Sequence, residues 1–354
     1  MGMYRIGIVG ASSLAGKELG DELQDSLLGA AEFVLLDDEE VAGQVTAAGD
    51  EVAFIQRIEA SSFERMDFVF FTGSAAETKK HWRQARRAGA SIVDLTYALE
   101  KEPDVLVRSP LEESWTTGLA RGGTKAPGLK TPDLKTPAVV PAHPAAVMLA
   151  MVASRLSAKL RLAGVAATVM EPASEHGRAA MDELHQQTVN LLSFTAVPRE
   201  QFDAQIAFNL LPSLGEAAKV KLSEVRERIQ THYEVLSGGS LPKLALQVVQ
   251  APVFHGYVAS VLVELSEAVT VKQVEAALAG EPVDLVTGES DPPSNVSAAG
   301  QPKVLARVTM DAEGEETSKR FWLWLAADNL KLAAVNAISC ALELRRQRPL
   351  GKVQ

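Results

Sequence analysis

The residues best placed to do chemistry stand near the start of the chain. Residues 4–9 (YRIGIV) form a short β-rich apolar run, residues 10–16 (GASSLAG) a turn of small side chains, and Leu19, Leu23 and Leu27 recur at helical spacing. Strand, tight turn and helix in that order bring the N–H groups of a helix start, backed by its dipole, to where they can hold a dinucleotide's pyrophosphate. Gly10, Ser12, Ser13, Leu14 and Gly16 are the positions that would do so. The spacing is G-x-x-x-x-x-G, with Ser13 where a middle glycine would ease close approach, and it equally fits a strand-to-helix turn that binds nothing.

Two more strand ends bear on the same chemistry. Residues 33–36 (FVLL) run into Asp37, Asp38, Glu39 and Glu40. One of these acids, Asp37 being the first, can accept hydrogen bonds from the ribose hydroxyls of NAD, and the group would repel the 2′-phosphate of NADP. A solvated acidic turn has the same composition. Residues 67–72 (DFVFFT) open into Gly73, Ser74 and Ala75, small residues that suit a second backbone approach to a cofactor.

Composition narrows the function classes. A chain of 354 residues, 47% hydrophobic and 23% charged, has the make-up of a globular protein with room for two domains. A net charge of −10 gives no basic stripe for nucleic acid or anionic lipid. The single cysteine, Cys340, cannot form an internal disulfide, and its helical spacing with Ala333, Ala337 and Leu344 reads as core. No apolar run approaches the roughly eighteen residues of a membrane helix, and MGMYRIG has no secretory pattern, so a cytoplasmic protein is expected.

The elements that must position these residues follow in order. Residues 52–55 read as a third strand, 77–89 as a basic-faced helix and 91–95 as a fifth strand, an alternation that predicts a doubly wound parallel sheet. From 96 to 137 the pattern lapses, and the glycine- and proline-rich stretch with its repeated LKTP reads as a flexible surface insert over 114–138. A short strand at Val139 leads through Pro141, Ala142 and His143 into an apolar helix with Pro144 at its first position. In the second half, residues 165–170 form a strand, EPASEHGR a loop, and Met181, Leu184, Thr188 and Leu191 one face of a helix. A charged helix is expected at 223–236. Residues 244–254 and 257–265, joined at His255-Gly256, read as an antiparallel pair. Strands at 304–310 and 320–326 and a closing helix at 328–346 complete a second, α+β domain with a mixed or antiparallel sheet.

The order of these motifs resembles the aspartate-β-semialdehyde dehydrogenases, sisters of the N-acetyl-glutamyl-phosphate reductases, over nearly the whole length. GASSLAG resembles that family's glycine-rich turn, DFVFFTGSAAE its fourth strand and cofactor loop, and GRAAMDELHQQT the helix after its substrate loop, with FNLLP, QAPVFHGYVASVLVEL and AADNLKLAAVNAI completing the series. The resemblance implies a Rossmann-type domain over 1–142 to which the C-terminal helix at 327–354 returns, and a dimerisation and former catalytic domain over 143–326. It also adds Asn329 to the cofactor-binding positions and Glu224 and Arg226 as substrate-site positions, the latter pair fitting an exposed helix face as well.

The family's chemistry, as the resemblance implies it, uses a cysteine thiolate at a helix start, a histidine that moves the proton, hydride transfer to NADP and phosphate to release the acyl group. Its cysteine position falls on Pro144, which has no nucleophile. Its orienting glutamine corresponds to Glu171, its histidine to Tyr257, its carboxylate-gripping arginine to Gln250 and its phosphate arginine to Glu100. These exchanges imply a pseudoenzyme: a non-catalytic homodimer that binds a nucleotide, a metabolite or another protein, with NAD expected over NADP. The alternative is an NAD-dependent oxidoreductase on an aldehyde or oxo group that forms no thioester, linked to amino-acid biosynthesis. By the resemblance His143, Glu171, His176 and His255 gather near the former active site and could ligate a divalent ion, although no ligand-spacing motif supports one and none is expected.

Overall fold

The computed structural model of the protein describes residues 4–48, 51–110, 138–288, 290–311 and 314–345. They form two compact units, one of Met1–Ala142 with Ala333–Gln354, the other of His143–Leu332. The insert expected at 114–138 lies, up to residue 137, outside the described residues.

The first unit runs β1 (Arg5–Val9), α1 (Leu14–Gln24), β2 (Glu32–Asp37), β3 (Val45–Ala48), β4 (Glu51–Phe54), β5 (Gln56–Arg57), β6 (Phe68–Phe71), α2 (Ala75–Arg87), β7 (Ser91–Asp94), β8 (Leu106–Arg108) and β9 (Ala138–Pro141). Seven of these strands make one parallel sheet in the order β5-β2-β1-β6-β7-β9-β8. A parallel sheet is covered on both faces, which is why β6 reads FVFF with every residue buried. Phe68 and Phe70 enter one core with Leu19 and Leu23 of α1, and Val69 and Phe71 enter the other with Trp82 and Ala85 of α2.

Three sequence expectations need correction here. Residues 52–55 are not the third strand of the sheet, because β4 pairs with β3 in a separate antiparallel ladder and the two residues of β5 take the sheet edge. β8 lies inside the stretch read as patternless and pairs with β9; a three-residue strand is too short for periodicity to register. Leu27 is not on the buried stripe of α1. Ser26 Oγ accepts from the Leu28 N–H at 3.0 Å and donates to the Leu23 carbonyl at 2.6 Å, turning the chain so that Leu28 is buried and Leu27 exposed.

The second unit runs α3 (Pro144–Lys159), β10 (Leu162–Glu171), α4 (Arg178–Leu192), α5 (Leu222–Ser237), β11 (Leu244–Gln250), β12 (Tyr257–Val269), α6 (Val271–Leu278), β13 (Val283–Leu285), α7 (Asn295–Ala298), β14 (Val304–Met310), β15 (Ser318–Ala327) and the start of α8 (Asn329–Arg345). Its sheet is mixed, in the order β11-β10-β12-β15-β14-β13. α3 is apolar on all sides and packs against β10, α5 and α6. Along β15, Phe321, Leu323 and Leu325 are fully buried, whereas Trp322 and Trp324, on the opposite face, are 39% and 37% exposed.

β11 and β12 are not the antiparallel pair that their adjacency suggests. β10 lies between them, parallel to β11 and antiparallel to β12. The connection from Ala251 to Gly256 is long enough to step over one strand, about 10 Å at ordinary strand spacing. α4 also differs from its expected apolar stripe, burying Ala180, Glu183, Leu184 and Gln187. Glu183 accepts from the N–H groups of Gln201 and Phe202 at 2.7 and 3.2 Å, and Gln187 Oε1 from those of Ile206 and Ala207 at 2.8 and 3.1 Å. The helix buries polar side chains because they satisfy a loop's backbone.

Candidate functional site

In the first unit, three glycines make a backbone-to-backbone approach that side chains would prevent. Gly10 has φ of 82°, and a Cβ there would lie 2.3 Å from Gly73; at Gly16 it would lie 2.4 Å from the Gly10 carbonyl oxygen. Ser13 is the N-cap of α1. Its hydroxyl accepts from the Gly16 N–H at 2.9 Å and donates to the Thr72 carbonyl at 2.9 Å, so it turns inward instead of obstructing the turn. The Ser12 N–H donates to Asp37 Oδ2 at 2.8 Å, which fastens the acidic strand end to the turn. Ser74 caps α2 in the same way, accepting from the Glu77 N–H at 3.1 Å. Leu14 and Ala15 begin α1, where helix geometry leaves N–H groups without internal acceptors. Across the same carboxyl edge of the sheet, Ser109 Oγ and Asn336 Oδ1 are buried without a hydrogen-bond partner among the described residues, and Asn336 Nδ2 donates to the Ala142 carbonyl at 3.2 Å. Glycine cradle, open helix start and orphaned polar atoms at the strand ends fit a dinucleotide.

Glu100 lies half-buried after β7. Burial pushes the Asp94 carboxyl above the ordinary aspartate range, against bonds from Thr96 and Leu99, and the charge of Glu100 adds to the rise. Acids surround the position where the resemblance expects a phosphate-binding cation. Cys340 is fully buried, and burial pushes its thiol up, which removes the chain's one thiol as a nucleophile.

The second unit holds a buried polar network. His143 caps α3, its Nδ1 accepting from the Ala145 N–H at 3.2 Å, and Pro144 follows at the first helical position. Because Nδ1 accepts, the ring hydrogen sits on Nε2, which lies 3.2 Å from Glu175 Oε1 and 3.4 Å from the Tyr257 hydroxyl. The backbone N–H of His143 donates to His232 Nδ1 on α5 at 2.9 Å. Glu175 Oε2 accepts from Asn329 Nδ2 at 3.2 Å, and Asn329 Oδ1 accepts from the Gly256 N–H and the Ser174 hydroxyl at 3.0 and 3.1 Å. Asn329 therefore ties the turn before α4 to the connection before β12.

Next to this network, His176 Nε2 lies 3.3 Å from Glu171 Oε2, within ion-pair distance. Burial opposes charge on His176, yet the Glu171 carboxylate, with Glu175 behind it, holds its pKa above the ordinary histidine value, while Arg228 works against the rise. Burial likewise opposes ionisation of Glu175, and its pairing with His143, assisted by His176 and Tyr257, overcomes it and holds that carboxyl down at about 2. Gln250 is fully buried, its Nε2 donating to the carbonyls of Glu171 and Ala251 at 3.0 and 3.2 Å.

Residues 5–142 match the model of the semialdehyde dehydrogenase NAD binding domain, and residues 154–332 that of the semialdehyde dehydrogenase dimerisation domain. The chain belongs to the semialdehyde dehydrogenase family. It is 30% identical over 345 residues to the USG-1 protein homolog of Azotobacter vinelandii, covering 97% of this chain and 98% of that one. It is 27% identical over 345 residues to the aspartate-semialdehyde dehydrogenase of Rickettsia bellii, covering 96% and 97%. The structure of a probable aspartate-semialdehyde dehydrogenase from Pseudomonas aeruginosa superposes with a TM-score of 0.82 at 27% identity, covering 98% of this chain and 100% of that chain.

Within this family member, the structure brings His143, Glu171, His176, Gln250, Tyr257 and Asn329 into the second unit's buried network. His255 is half-buried beside it, and among the described residues no group of three or more histidine, cysteine or acidic side chains is arranged to hold a metal ion. Glu224 and Arg226 are exposed on α5, Arg226 at the wall of a cleft of about 390 Å³ with Pro212, Lys221 and Gln247. The helix residue whose charge reaches His176 is Arg228. Sequence reasoning also missed Glu175 and His232. His232 sits on the buried stripe Leu222, Val225, Ile229, His232, Leu236 of α5, a pattern that was open to reading.

Proposed function

We propose that this family member binds a nicotinamide dinucleotide as a homodimer, with NAD preferred over NADP, and does not run the phosphorylating dehydrogenase reaction. The observation that carries this reading is Pro144: the helix start that would polarise a thiolate carries a ring with no nucleophilic atom, capped by His143. The neighbouring groups are committed to one another, His143 and Tyr257 to Glu175 and the Gln250 amide to backbone carbonyls. A bound dinucleotide would supply hydride chemistry; Gly10, Gly16 and Gly73 would admit its pyrophosphate to the Leu14 and Ala15 N–H groups. Asp37 supports the NAD preference, and Arg57, the nearby cation, is spent on Glu39 at 2.9 Å. The sheet face carrying Trp322 and Trp324 supports pairing with a second copy.

The test is to mix the protein with aspartate semialdehyde, phosphate and each dinucleotide. No phosphate-dependent reduction is expected, and turnover would overturn the reading. One observation favours the second reading, a thioester-free NAD-dependent oxidoreductase: Tyr257, His143 and Glu175 form a chain able to pass a proton. Carbonyl reduction that is abolished by Tyr257→Phe would select it.

A further inference from the structure

Two carboxylates share the second unit's network, and they are treated differently. Both oxygens of Glu175 are engaged, Oε1 by His143 and Oε2 by Asn329. Among the described residues Glu171, wholly buried at the end of β10, has no close hydrogen-bond donor on either oxygen beyond its ion pair with His176, 3.3 Å from Oε2. Gln250 is its register partner on β11, so the two side chains leave the same face of adjacent strands. Both bonds of Gln250 Nε2 go to carbonyl oxygens, which fixes the amide orientation and leaves Oε1 as a further buried acceptor without a partner among the described residues. A buried acceptor left without a donor is destabilising, so two such side chains on one sheet face call for a donor.

From this geometry we propose that Glu171 and Gln250 form a subsite for a small primary ammonium ligand. The ligand's N–H groups donate to Glu171 Oε1 and Gln250 Oε1, and its charge is met by the Glu171 carboxylate. The complete burial of both side chains commits the subsite to a small free amine; a tethered side chain would have to open the strands. The proposal rests on the reading above, that these positions no longer serve the family's reaction. The exchanges work in one sense, a carboxylate and an amide oxygen standing where the resemblance places an amide and an arginine, so that a site suited to an anion becomes one suited to a cation.

The test is calorimetric titration of the full-length protein with ethylammonium chloride, tetramethylammonium chloride and sodium propionate at constant ionic strength. Saturable binding of ethylammonium alone is expected, because tetramethylammonium has charge but no N–H to donate. Glu171→Gln keeps the shape and should weaken ethylammonium at least about tenfold, the scale of one charge-assisted hydrogen bond. Gln250→Arg should abolish ethylammonium binding. Thermal unfolding of each variant separates loss of the site from loss of the fold. Equal binding of the two cations, propionate binding by the unaltered protein, or no effect of Glu171→Gln overturns the proposal, as does absence of ethylammonium binding, which would mean that a buried water alone bridges the two oxygens. Dehydrogenase turnover is scored separately: it would sink the functional reading, whereas failed ethylammonium binding would leave that reading standing.

Discussion

His143 Nε2 and Glu175 Oε1 lie 3.2 Å apart, and that pair joins the cap of α3 to the turn before α4. With His143 1% exposed, removing Glu175 takes away the nearer of the two groups that face its buried Nε2, the other being the Tyr257 hydroxyl. Glu175→Ala should cost about 3 kcal/mol, read as a lower urea midpoint at unchanged slope.

The same network predicts a pH optimum of stability. Glu175 is held at about 2 against an ordinary 4.5, so its contribution is complete above 4.5 and is lost as pH falls toward 2. His176 is raised above 6.5, so its contribution is complete below 6.5 and is lost as pH rises through the folded value. The urea midpoint should therefore peak between these limits and fall on both sides. Glu175→Gln should flatten the acid limb, and His176→Asn the alkaline one.

Gly16→Ala tests the dinucleotide turn. Its Cβ would meet the Gly10 carbonyl at 2.4 Å and Thr72 Oγ1 at 2.8 Å, so α1 must move away from β1. We expect about 2 kcal/mol of destabilisation and loss of NAD binding by calorimetry. Tighter binding of NADP than NAD by the unaltered protein would refute the assignment of Asp37.

Restoring one residue should not restore a reaction. Pro144→Cys puts a thiol at a helix start, yet Tyr257, Glu171, Gln250 and Glu100 remain. Phosphate-dependent turnover should stay undetectable in that variant, with first activity expected only when Tyr257→His, Glu171→Gln, Gln250→Arg and Glu100→Arg are added. Turnover by Pro144→Cys alone would show that the other positions keep their old roles.

Trp322 and Trp324 stand on one sheet face, about two-fifths exposed in the single chain. Replacing both by arginine should convert dimer to monomer in sedimentation at micromolar concentration while leaving unfolding cooperative.

Much of the fold was legible because burial on both faces writes continuous apolar runs such as FVFF, and turn chemistry writes its own signals at Gly10 and Gly256. Pairing order was not legible. That β10 separates β11 from β12 depends on contacts far apart in sequence, and a six-residue connection permits either arrangement. In the site, Pro144 and Tyr257 could be placed by motif, whereas Glu175 became visible only once Asn329 and His143 were seen to converge on it. Polar side chains such as Glu183 and Gln187 look like an exposed face until the loop backbone they serve is folded over them.

The closing helix has a consequence for how the protein is born. Ala334, Ala337, Ile338, Cys340, Ala341 and Leu344 of α8 belong to the same core as Ile6 and Ile8, and Glu343 makes a two-point bond with Arg108 at 2.8 and 3.1 Å. The first unit thus waits for residues 333–345 before its interior is complete, while residues 143–332, an uninterrupted stretch made before them, can close beforehand. For the two units, order of synthesis and order of completion are reversed, which makes the nascent first unit the segment with most to gain from a chaperone.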